Sequence, residues 1–291
     1  MRWAKKDSSG AIVKRKRVWM PVVVLLALFV TGMVWHQDIS MVFVSRQVGL
    51  NREEAMEDVG LLIAHRGAST LAPENSIPAF QLAGEYGYWG AECDVSVTKD
   101  GIWVLMHDTS VDRTTNGRGV VSSFTLEEIK KLKIDTGANL RSYPDLRVPT
   151  LEEFLQVCGE YDMTPVIEIK TVGKDADYDT LVELLRQMDM EGKAVIISFD
   201  YLKLQKLRAL SPVQMMLLTK NPSKAEIDRV LELENCDLDL EYRHCSRSLV
   251  DYAKEKDILL NVYTVDDELV RQDLTRRGIN FITTNLLRPD S

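Results

Sequence analysis

The chain has 291 residues, of which 45% are hydrophobic and 27% are charged. This composition is typical of a folded globular protein and excludes a disordered chain, a collagen and a multi-span membrane protein. The formal net charge of −8 is uneven, because residues 1–17 carry seven basic side chains and one acidic one, which leaves −14 for residues 18–291. An acidic body of this kind repels a polyanion, so we expect no binding of nucleic acid.

An uncharged segment near the N-terminus predicts a single membrane anchor. Residues 18–35 contain no charged side chain, and eighteen residues are just enough for a helix to span a bilayer. Basic residues 14–17 precede the segment, and Trp19 and Trp35 lie near its ends, where indoles favour the membrane interface. No Ala-x-Ala pattern follows, which favours an uncleaved anchor over a cleaved signal peptide. The basic flank makes a buried core helix the weaker alternative.

The positive-inside rule then assigns each part of the chain to one side of the membrane. Residues 1–17 are expected to form a basic cytoplasmic tail, residues 18–35 the transmembrane anchor and residues 36–60 a connector. The domain formed by residues 61–291 is expected at the cell membrane, on its extracytoplasmic side. No feature of the sequence indicates a protein partner.

From residue 61 onward, short β-rich runs alternate with amphipathic stretches, as in parallel strands joined by helices. The predicted strands span residues 61–65, 91–97, 166–170, 194–198, 213–219, 237–241, 258–264 and 280–284. The predicted helices span residues 77–86, 151–160, 178–188, 201–209, 224–234, 247–256 and 268–277. Eight alternations over about 230 residues predict an α/β fold, a (β/α)8 barrel of the TIM type. An open doubly wound sheet is the alternative.

A long irregular segment, residues 101–148, separates the second predicted strand from its helix, and loops of this length are usually functional or disordered. Thr125 and Thr150 are each followed three residues later by Glu, the spacing of a capping box, so a helix is expected to begin after each. The four cysteines form no Cys-x-x-Cys pair, so no zinc site is expected. Buried thiols are the simplest expectation, and a bridge between Cys236 and Cys245 is the alternative.

Polar residues interrupt the predicted strands near their carboxyl ends. They are His65 and Arg66 after the first strand, Glu92 and Asp94 in the second, His107 and Asp108 after residues 102–106, and Glu168 and Lys170 in the third. Taken alone, each pair is typical of a solvent-exposed edge strand or of a structural histidine. In a closed barrel, however, the carboxyl ends of all strands meet at one mouth, where the active sites of this fold lie. A barrel would therefore bring these residues into one site.

Three carboxylates of this set, Glu92, Asp94 and Glu168, would repel one another without a cation. Hard divalent ions such as Ca²⁺ or Mg²⁺ prefer oxygen ligands, whereas zinc prefers the sulfur and nitrogen that the trio lacks. The trio, one divalent ion, Arg66 and Lys170 together carry a charge of +1. This charge matches the single negative charge of a phosphodiester.

The two histidines of the set, His65 and His107, have the side chains best suited to proton transfer near neutral pH. Cleavage of a phosphodiester needs a base that activates the nucleophile and an acid that protonates the departing alkoxide, and two imidazoles supply one of each. The alternative, in which one histidine is itself a metal ligand, stays open.

The ordered motifs resemble the glycerophosphodiester phosphodiesterase family over residues 61–285. They are His65-Arg66-Gly67, Pro73-Glu74-Asn75-Ser76 with Ala79-Phe80, Glu92-Cys93-Asp94, His107-Asp108, Asp112-Arg113-Thr114-Thr115-Asn116-Gly117 with Gly119, Pro149-Thr150-Leu151-Glu152-Glu153, and Glu168-Ile169-Lys170. Each motif alone is weak, but the ordered set is specific. The resemblance implies a (β/α)8 barrel with an insertion after the second strand. It also implies hydrolysis of glycerophosphodiesters to an alcohol and glycerol 3-phosphate with a divalent cation.

The resemblance also implies roles for individual residues. His65 is the expected proton acceptor and His107 the expected proton donor. The other expected roles are metal ligation by Glu92, Asp94 and Glu168, phosphate contact by Arg66 and Lys170, support or glycerol contact by Glu74, and opening of the following helix by Asn75.

The sequence departs from the family pattern at two strand ends. Tyr263-Thr264 stands where the family often has Trp-Thr, and Thr284-Asn285 where it often has Thr-Asp, so substrate contacts at the mouth are expected to differ. Little chain follows the last strand, so residues 46–60 are expected to cap the barrel instead of an eighth helix. Two other functions stay open, a related phosphodiesterase that cleaves phospholipids or forms a cyclic phosphate, and a non-catalytic membrane-anchored binding protein.

Overall fold

A computed structural model describes residues 59–289 of the chain. The predicted cytoplasmic tail (1–17), the predicted anchor (18–35) and all but the last two residues of the predicted connector (36–60) lie outside the described residues. Within residues 59–289, none of the helices combines the length and the apolar character needed to cross a bilayer. The anchor, the cap and the side of the membrane therefore stay predictions.

In the part of the chain that the structure describes, nine strands form one sheet. They are β1 (Leu61–His65), β2 (Gly90–Val97), β3 (Trp103–Leu105), β4 (Thr164–Thr171), β5 (Val195–Ser198), β6 (Gln214–Thr219), β7 (Cys236–Glu241), β8 (Leu260–Tyr263) and β9 (Phe281–Thr284). Eight of them are parallel neighbours in the order β1-β9-β8-β7-β6-β5-β4-β2, and pairing of β1 with β2 closes the ring. The predicted TIM-type barrel is confirmed, and the open sheet is excluded.

Helices connect the strands and cover the outside of the ring. They are α1 (Ile77–Glu85), α2 (Leu126–Lys131), α3 (Leu151–Glu160), α4 (Ala176–Gln187), α5 (Tyr201–Arg208), α6 (Lys224–Val230), α7 (Arg247–Glu255) and α8 (Glu268–Arg277). The capping boxes predicted at Thr125 and Thr150 are both formed, with Glu128 and Glu153 returning a hydrogen bond to the cap. The predicted helix 224–234 ends four residues early, at Val230.

Two apolar layers hold the barrel. The interior is filled by strand residues that include Ile63, Val166, Ile197 and Phe281, all at most 3% exposed. A larger outer layer packs the other face of the strands against the helices. Burial on both faces explains why these strands are almost continuously apolar, so charged residues at their ends indicate a site. The four cysteines are buried thiols rather than halves of disulfides.

The segment between β2 and α3, residues 98–150, is more ordered than its irregular sequence predicts. It contains β3, which pairs antiparallel with β2, and the short helix α2. A third apolar cluster supports this insertion, and its members are Val104, Met106, Val111, Val121, Ile129, Ile134 and Val148. The insertion therefore has a small core of its own beside the barrel.

Candidate active site

The three predicted metal ligands lie together at the mouth of the barrel. Glu92 and Asp94 alternate on β2, and Glu168 on β4 is the register partner of Asp94. One carboxylate oxygen from each of the three lies within 4.8 Å of the others. Glu92 and Asp94 are at most 2% exposed. The barrel thus brings three carboxylates into a buried cluster that could bind a metal ion.

The electrostatics of this carboxylate cluster favour the binding of a cation. Burial and then repulsion from Asp94 and Glu168 raise the pKa of Glu92 well above its usual value. Burial also raises the pKa of Glu168. The buried Oε1 of Glu92 accepts no hydrogen bond from any described residue. A cation would supply this oxygen with a partner and relieve the repulsion, so the residues present fit a hard divalent ion.

Two cationic side chains border the cluster. Lys170 Nζ lies 2.7 Å from Glu168 Oε1 and 3.2 Å from Asp94 Oδ1, and Arg66 Nε lies 3.3 Å from Asp94 Oδ2. Burial raises the pKa of Asp94, but Lys170 and Arg66 outweigh that effect, and its pKa lies below the usual value. These two cations balance part of the negative charge of the three carboxylates.

His65 ends β1 and lies beside the acidic cluster. It is the register partner of Glu92, and its Nε2 lies 3.9 Å from Glu92 Oε2. Its other nitrogen, Nδ1, lies 2.7 Å from Oδ1 of Asn285, which follows β9. Burial, and then the charge of Arg66, lower the pKa of His65. A neutral imidazole at this position is suited to accept a proton.

The loop after β1 is bent sharply so that it faces the cluster. Arg66 and Gly67 both have positive φ, at 57° and 77°. A Cβ on Gly67 would lie 2.7 Å from the backbone carbon of Ala79, so only glycine fits between this loop and α1. The bend directs the backbone N–H of Arg66 to Glu92 Oε2, at 2.9 Å.

His107 reaches the site on the returning strand of a hairpin. The backbone N–H of Met106 donates to the carbonyl oxygen of Asp94 at 2.9 Å, which places His107 next to the cluster. Residues 102–106 were noted only as an apolar run before His107 and not as one of the eight predicted barrel strands, and β3 is indeed antiparallel to β2 and lies outside the ring. His107 Nδ1 lies 2.7 Å from Asp108 Oδ1.

Arg113 links the insertion to the loop after β1. Its guanidinium donates two hydrogen bonds to Asp108 and two to Glu74, at 2.7–3.2 Å. Arg66 Nη1 also donates to Glu74 Oε1, at 3.0 Å. Glu74 therefore lies between two arginines.

Asn75 does not open the following helix, and that prediction is wrong. Ser76 is the N-cap of α1 and accepts from the backbone of Ala79, whereas Asn75 has a φ of 51°. An N-cap residue has an extended backbone, which this left-handed conformation excludes. The amide of Asn75 instead donates to Asp94 Oδ2 at 2.8 Å and accepts from the backbone N–H of Asp94 at 3.1 Å.

Sequence reasoning missed several partners of the site residues. Asp108 and Arg113 were noted only as parts of motifs, and no role was predicted for Asp266, whose oxygens accept from Asn285. The departure at Thr284-Asn285 was noted as a change in substrate contacts, but the Asn285 side chain contacts His65. Tyr263 is the other residue that differs from the family pattern. Its hydroxyl donates a hydrogen bond to the Thr219 carbonyl, and its ring packs against the barrel interior.

The comparisons with known proteins agree with this fold. The profile of the glycerophosphoryl diester phosphodiesterase family matches residues 65–288. The glycerophosphodiester phosphodiesterase of Caldanaerobacter subterraneus is 36% identical over 229 residues, which is 77% of this chain and 93% of that protein. The glycerophosphodiester phosphodiesterase of Bacillus subtilis is 31% identical over 77% of this chain and 83% of its own.

A solved structure of a related enzyme is also similar. A phosphodiesterase from Oleispira antarctica, solved with its product sn-glycerol-3-phosphate, superposes with a TM-score of 0.73 at 29% identity. The match covers 79% of this chain and 95% of that one. The chain therefore belongs to the glycerophosphoryl diester phosphodiesterase family, whose members hydrolyse glycerophosphodiesters.

Proposed function

We propose that the chain is a divalent-cation-dependent hydrolase that converts a glycerophosphodiester to an alcohol and glycerol 3-phosphate, with His65 and His107 as its base and acid. The observation that carries this proposal is the juxtaposition of a buried three-carboxylate cluster with two imidazoles and two cations at one barrel mouth. A non-catalytic binding protein does not need two imidazoles next to such a cluster.

The cation would be held by Glu92, Asp94 and Glu168. When bound, it supplies positive charge that stabilises the charge developing on the phosphoryl oxygens. Oxygen ligands alone do not distinguish Ca²⁺ from Mg²⁺, so both belong in the assay. The three carboxylates, one divalent ion, Arg66 and Lys170 would together carry a net charge of +1. This charge would attract the singly negative phosphodiester.

The protein side chains would divide the remaining work. Arg66 and Lys170 bind the phosphoryl oxygens, and Glu74 orients Arg66 through the hydrogen bond between them. His65 accepts a proton from the attacking water, because its lowered pKa leaves it neutral near pH 7. His107 donates a proton to the departing alkoxide, and the Asp108 carboxylate at its Nδ1 stabilises the positively charged ring.

The test is turnover of a panel of glycerophosphodiesters that differ in the alcohol, with and without chelator, in ¹⁸O-labelled water. We expect chelator to abolish turnover, added Ca²⁺ or Mg²⁺ to restore it, and one labelled oxygen to enter the first-formed glycerol phosphate. If turnover does not change when chelator is added, the proposed requirement for a divalent cation is wrong. An unlabelled cyclic phosphate as the first product would show internal attack by a substrate hydroxyl instead of hydrolysis.

We also propose that residues 18–35 anchor the enzyme in the cell membrane with the barrel on the extracytoplasmic side. The support is the uncharged segment itself and its basic N-terminal flank. Reporters fused to the C-terminus, after residue 291, would test the orientation. We expect activity from a reporter that works only outside the cytoplasm, and activity only from a cytoplasmic reporter would reverse the topology.

A further inference from the structure

Asn285 contacts the proposed base from the neighbouring strand end. Strands β1 and β9 pair in register, with Ala64 opposite Thr284, so the next residues along the two strands, His65 and Asn285, lie side by side. The Asn285 Oδ1 is 2.7 Å from His65 Nδ1. Among residues 59–289, Asn285 makes no hydrogen bond with the acidic cluster or its two cations, so its role acts through His65.

Asp266 fixes which end of the Asn285 amide faces His65. The Asn285 Nδ2 donates to Asp266 Oδ2 at 2.9 Å, and the backbone N–H of Asn285 donates to Asp266 Oδ1 at 2.8 Å. An ionised carboxylate accepts hydrogen bonds and cannot donate them, so the NH₂ group of Asn285 must face Asp266. The amide oxygen is therefore directed to His65.

An acceptor at Nδ1 determines the tautomer of a neutral imidazole. His65 Nδ1 must carry the hydrogen in order to donate to the Asn285 oxygen, which leaves the lone pair on Nε2. Nε2 is the nitrogen on the side of the acidic cluster, 3.9 Å from Glu92 Oε2. The basic nitrogen thus faces the place where phosphate and water would be bound.

We propose that Asn285, oriented by Asp266, is a positioning residue that holds His65 in its Nδ1–H tautomer with Nε2 available as the base. The inference rests on the proposed role of His65. An oxygen held in a fixed direction suits this task, because it accepts a hydrogen bond from Nδ1 and cannot donate one.

The test compares three variants with the wild-type protein. Asn285→Leu removes the acceptor at nearly the same size. The double variant Asn285→Asp/Asp266→Asn exchanges the two groups, so a carboxylate at 285 accepts from His65 and from the amide at 266. Thr70→Val is the matched control, because Thr70 Oγ1 donates to the backbone oxygen of Asn285 and does not touch its side chain.

Two readouts separate positioning from folding. We expect Asn285→Leu to lower kcat about 10²-fold, the scale of one general base, with KM changed less than about threefold. The ¹⁵N spectrum of histidine-labelled protein should show His65 as Nδ1–H in the wild type and as a tautomer mixture or Nε2–H in Asn285→Leu. The exchanged pair should recover the wild-type tautomer and most of kcat, and Thr70→Val should keep both.

An unchanged tautomer in Asn285→Leu, or a tautomer change with no effect on kcat, would overturn the proposal. His65→Ala, assayed in parallel, separates this failure from failure of the proposed function. If His65→Ala is inactive and Asn285→Leu is fully active, only the positioning role has failed. If His65→Ala is fully active, the base itself is wrongly assigned.

Discussion

The two histidines of the site are supported by different parts of the molecule. His65 ends a strand of the closed barrel, has a side chain 23% exposed and meets a neutral amide. His107 lies on the insertion, has a side chain 34% exposed and meets a carboxylate that Arg113 holds. The barrel supplies a ring whose pKa is lowered, first by burial, and the insertion supplies a more exposed ring with a carboxylate at its Nδ1. The comparison shows that one site places the same side chain in two different surroundings, as the proposed division into a base and an acid requires.

The largest effect should come from the carboxylates, all of which belong to the barrel. Glu168→Gln removes one charge from the cluster without changing its size, so we expect cation affinity to fall about 10-fold or more and turnover at low cation concentration to fall to background. The free energy of unfolding in chelator should change little, because the glutamate is already costly to ionise there. Cation titration and urea unfolding measure the two effects.

Glu127→Gln is the matched control for this prediction, because Glu127 is an exposed carboxylate on α2. It should leave cation affinity unchanged. Equal losses of cation affinity and stability in Glu168→Gln would indicate that Glu168 is structural.

The two histidines should respond differently to the leaving group. Each of His65→Ala and His107→Ala should lower turnover of a glycerophosphodiester with an alkyl alcohol about 10²-fold or more. A p-nitrophenyl ester leaves without protonation, so it should restore most of the activity of His107→Ala and little of that of His65→Ala. Steady-state rates on both substrates measure this.

His244→Ala replaces an exposed histidine outside the cluster and is the control. If both substrates respond alike in His107→Ala, then His107 is not the acid. If the p-nitrophenyl ester rescues His65→Ala instead, the two roles are reversed.

The small core of the insertion should support His107 without supporting the cation. Ile129 is fully buried in that core, and Ile129→Ala should lower stability by about 2–5 kcal/mol. We expect kcat to fall and cation affinity to stay unchanged, since the carboxylates lie on the barrel. The control Leu207→Ala truncates a fully buried residue of α5 and should lower stability while leaving kcat unchanged. A loss of cation affinity in Ile129→Ala would show that the core of the insertion also supports the carboxylates.

The smallest effect should be the pH dependence of the stability that the pair of Arg113 and Asp108 contributes. The hydrogen bonds from Arg113 lower the pKa of Asp108 to about 2. A carboxyl group whose pKa is lowered by folding stabilises the folded state when the pH is above its unfolded pKa of about 3.9. This stabilisation is lost as the pH falls toward 2. Because the pair is largely exposed, it should contribute at most about 1 kcal/mol.

Urea unfolding of Arg113→Gln at two pH values checks this sign. The free energy of unfolding of Arg113→Gln should fall further below that of the wild type at pH 5 than at pH 3. Arg118→Gln, an exposed change on the same segment, should show no such difference. A deficit that grows as the pH falls would contradict the assignment.

Local patterns in the sequence were enough to predict the barrel and the chemical groups of its mouth. The strand 61–65 and the helices 151–160 and 268–277 were predicted at their observed bounds, because apolar runs and capping boxes are local signals. Glu92 and Asp94 were found because charged residues are exceptional in a strand covered on both faces.

The remaining features depend on contacts between distant residues. Asn285 meets His65 across 220 positions, and no local pattern indicates that approach. The return of β3 beside β2, which carries His107 to Asp94, was hidden because a three-residue strand has the same apolar pattern whichever way it runs. The role of Asn75 was mistaken because its left-handed backbone is set by the packing around it.

Closure of the ring between the first and last strands has a consequence for biosynthesis. The side chain that contacts His65 follows β9, so His65 gains this partner only after the last strand of the ring has been synthesised and has paired with β1. His65, Arg66, Glu92 and Asp94 are all synthesised before residue 95, but the contact of His65 with residue 285 requires the last strand to pair with the first, so it would be among the last contacts of the site to form.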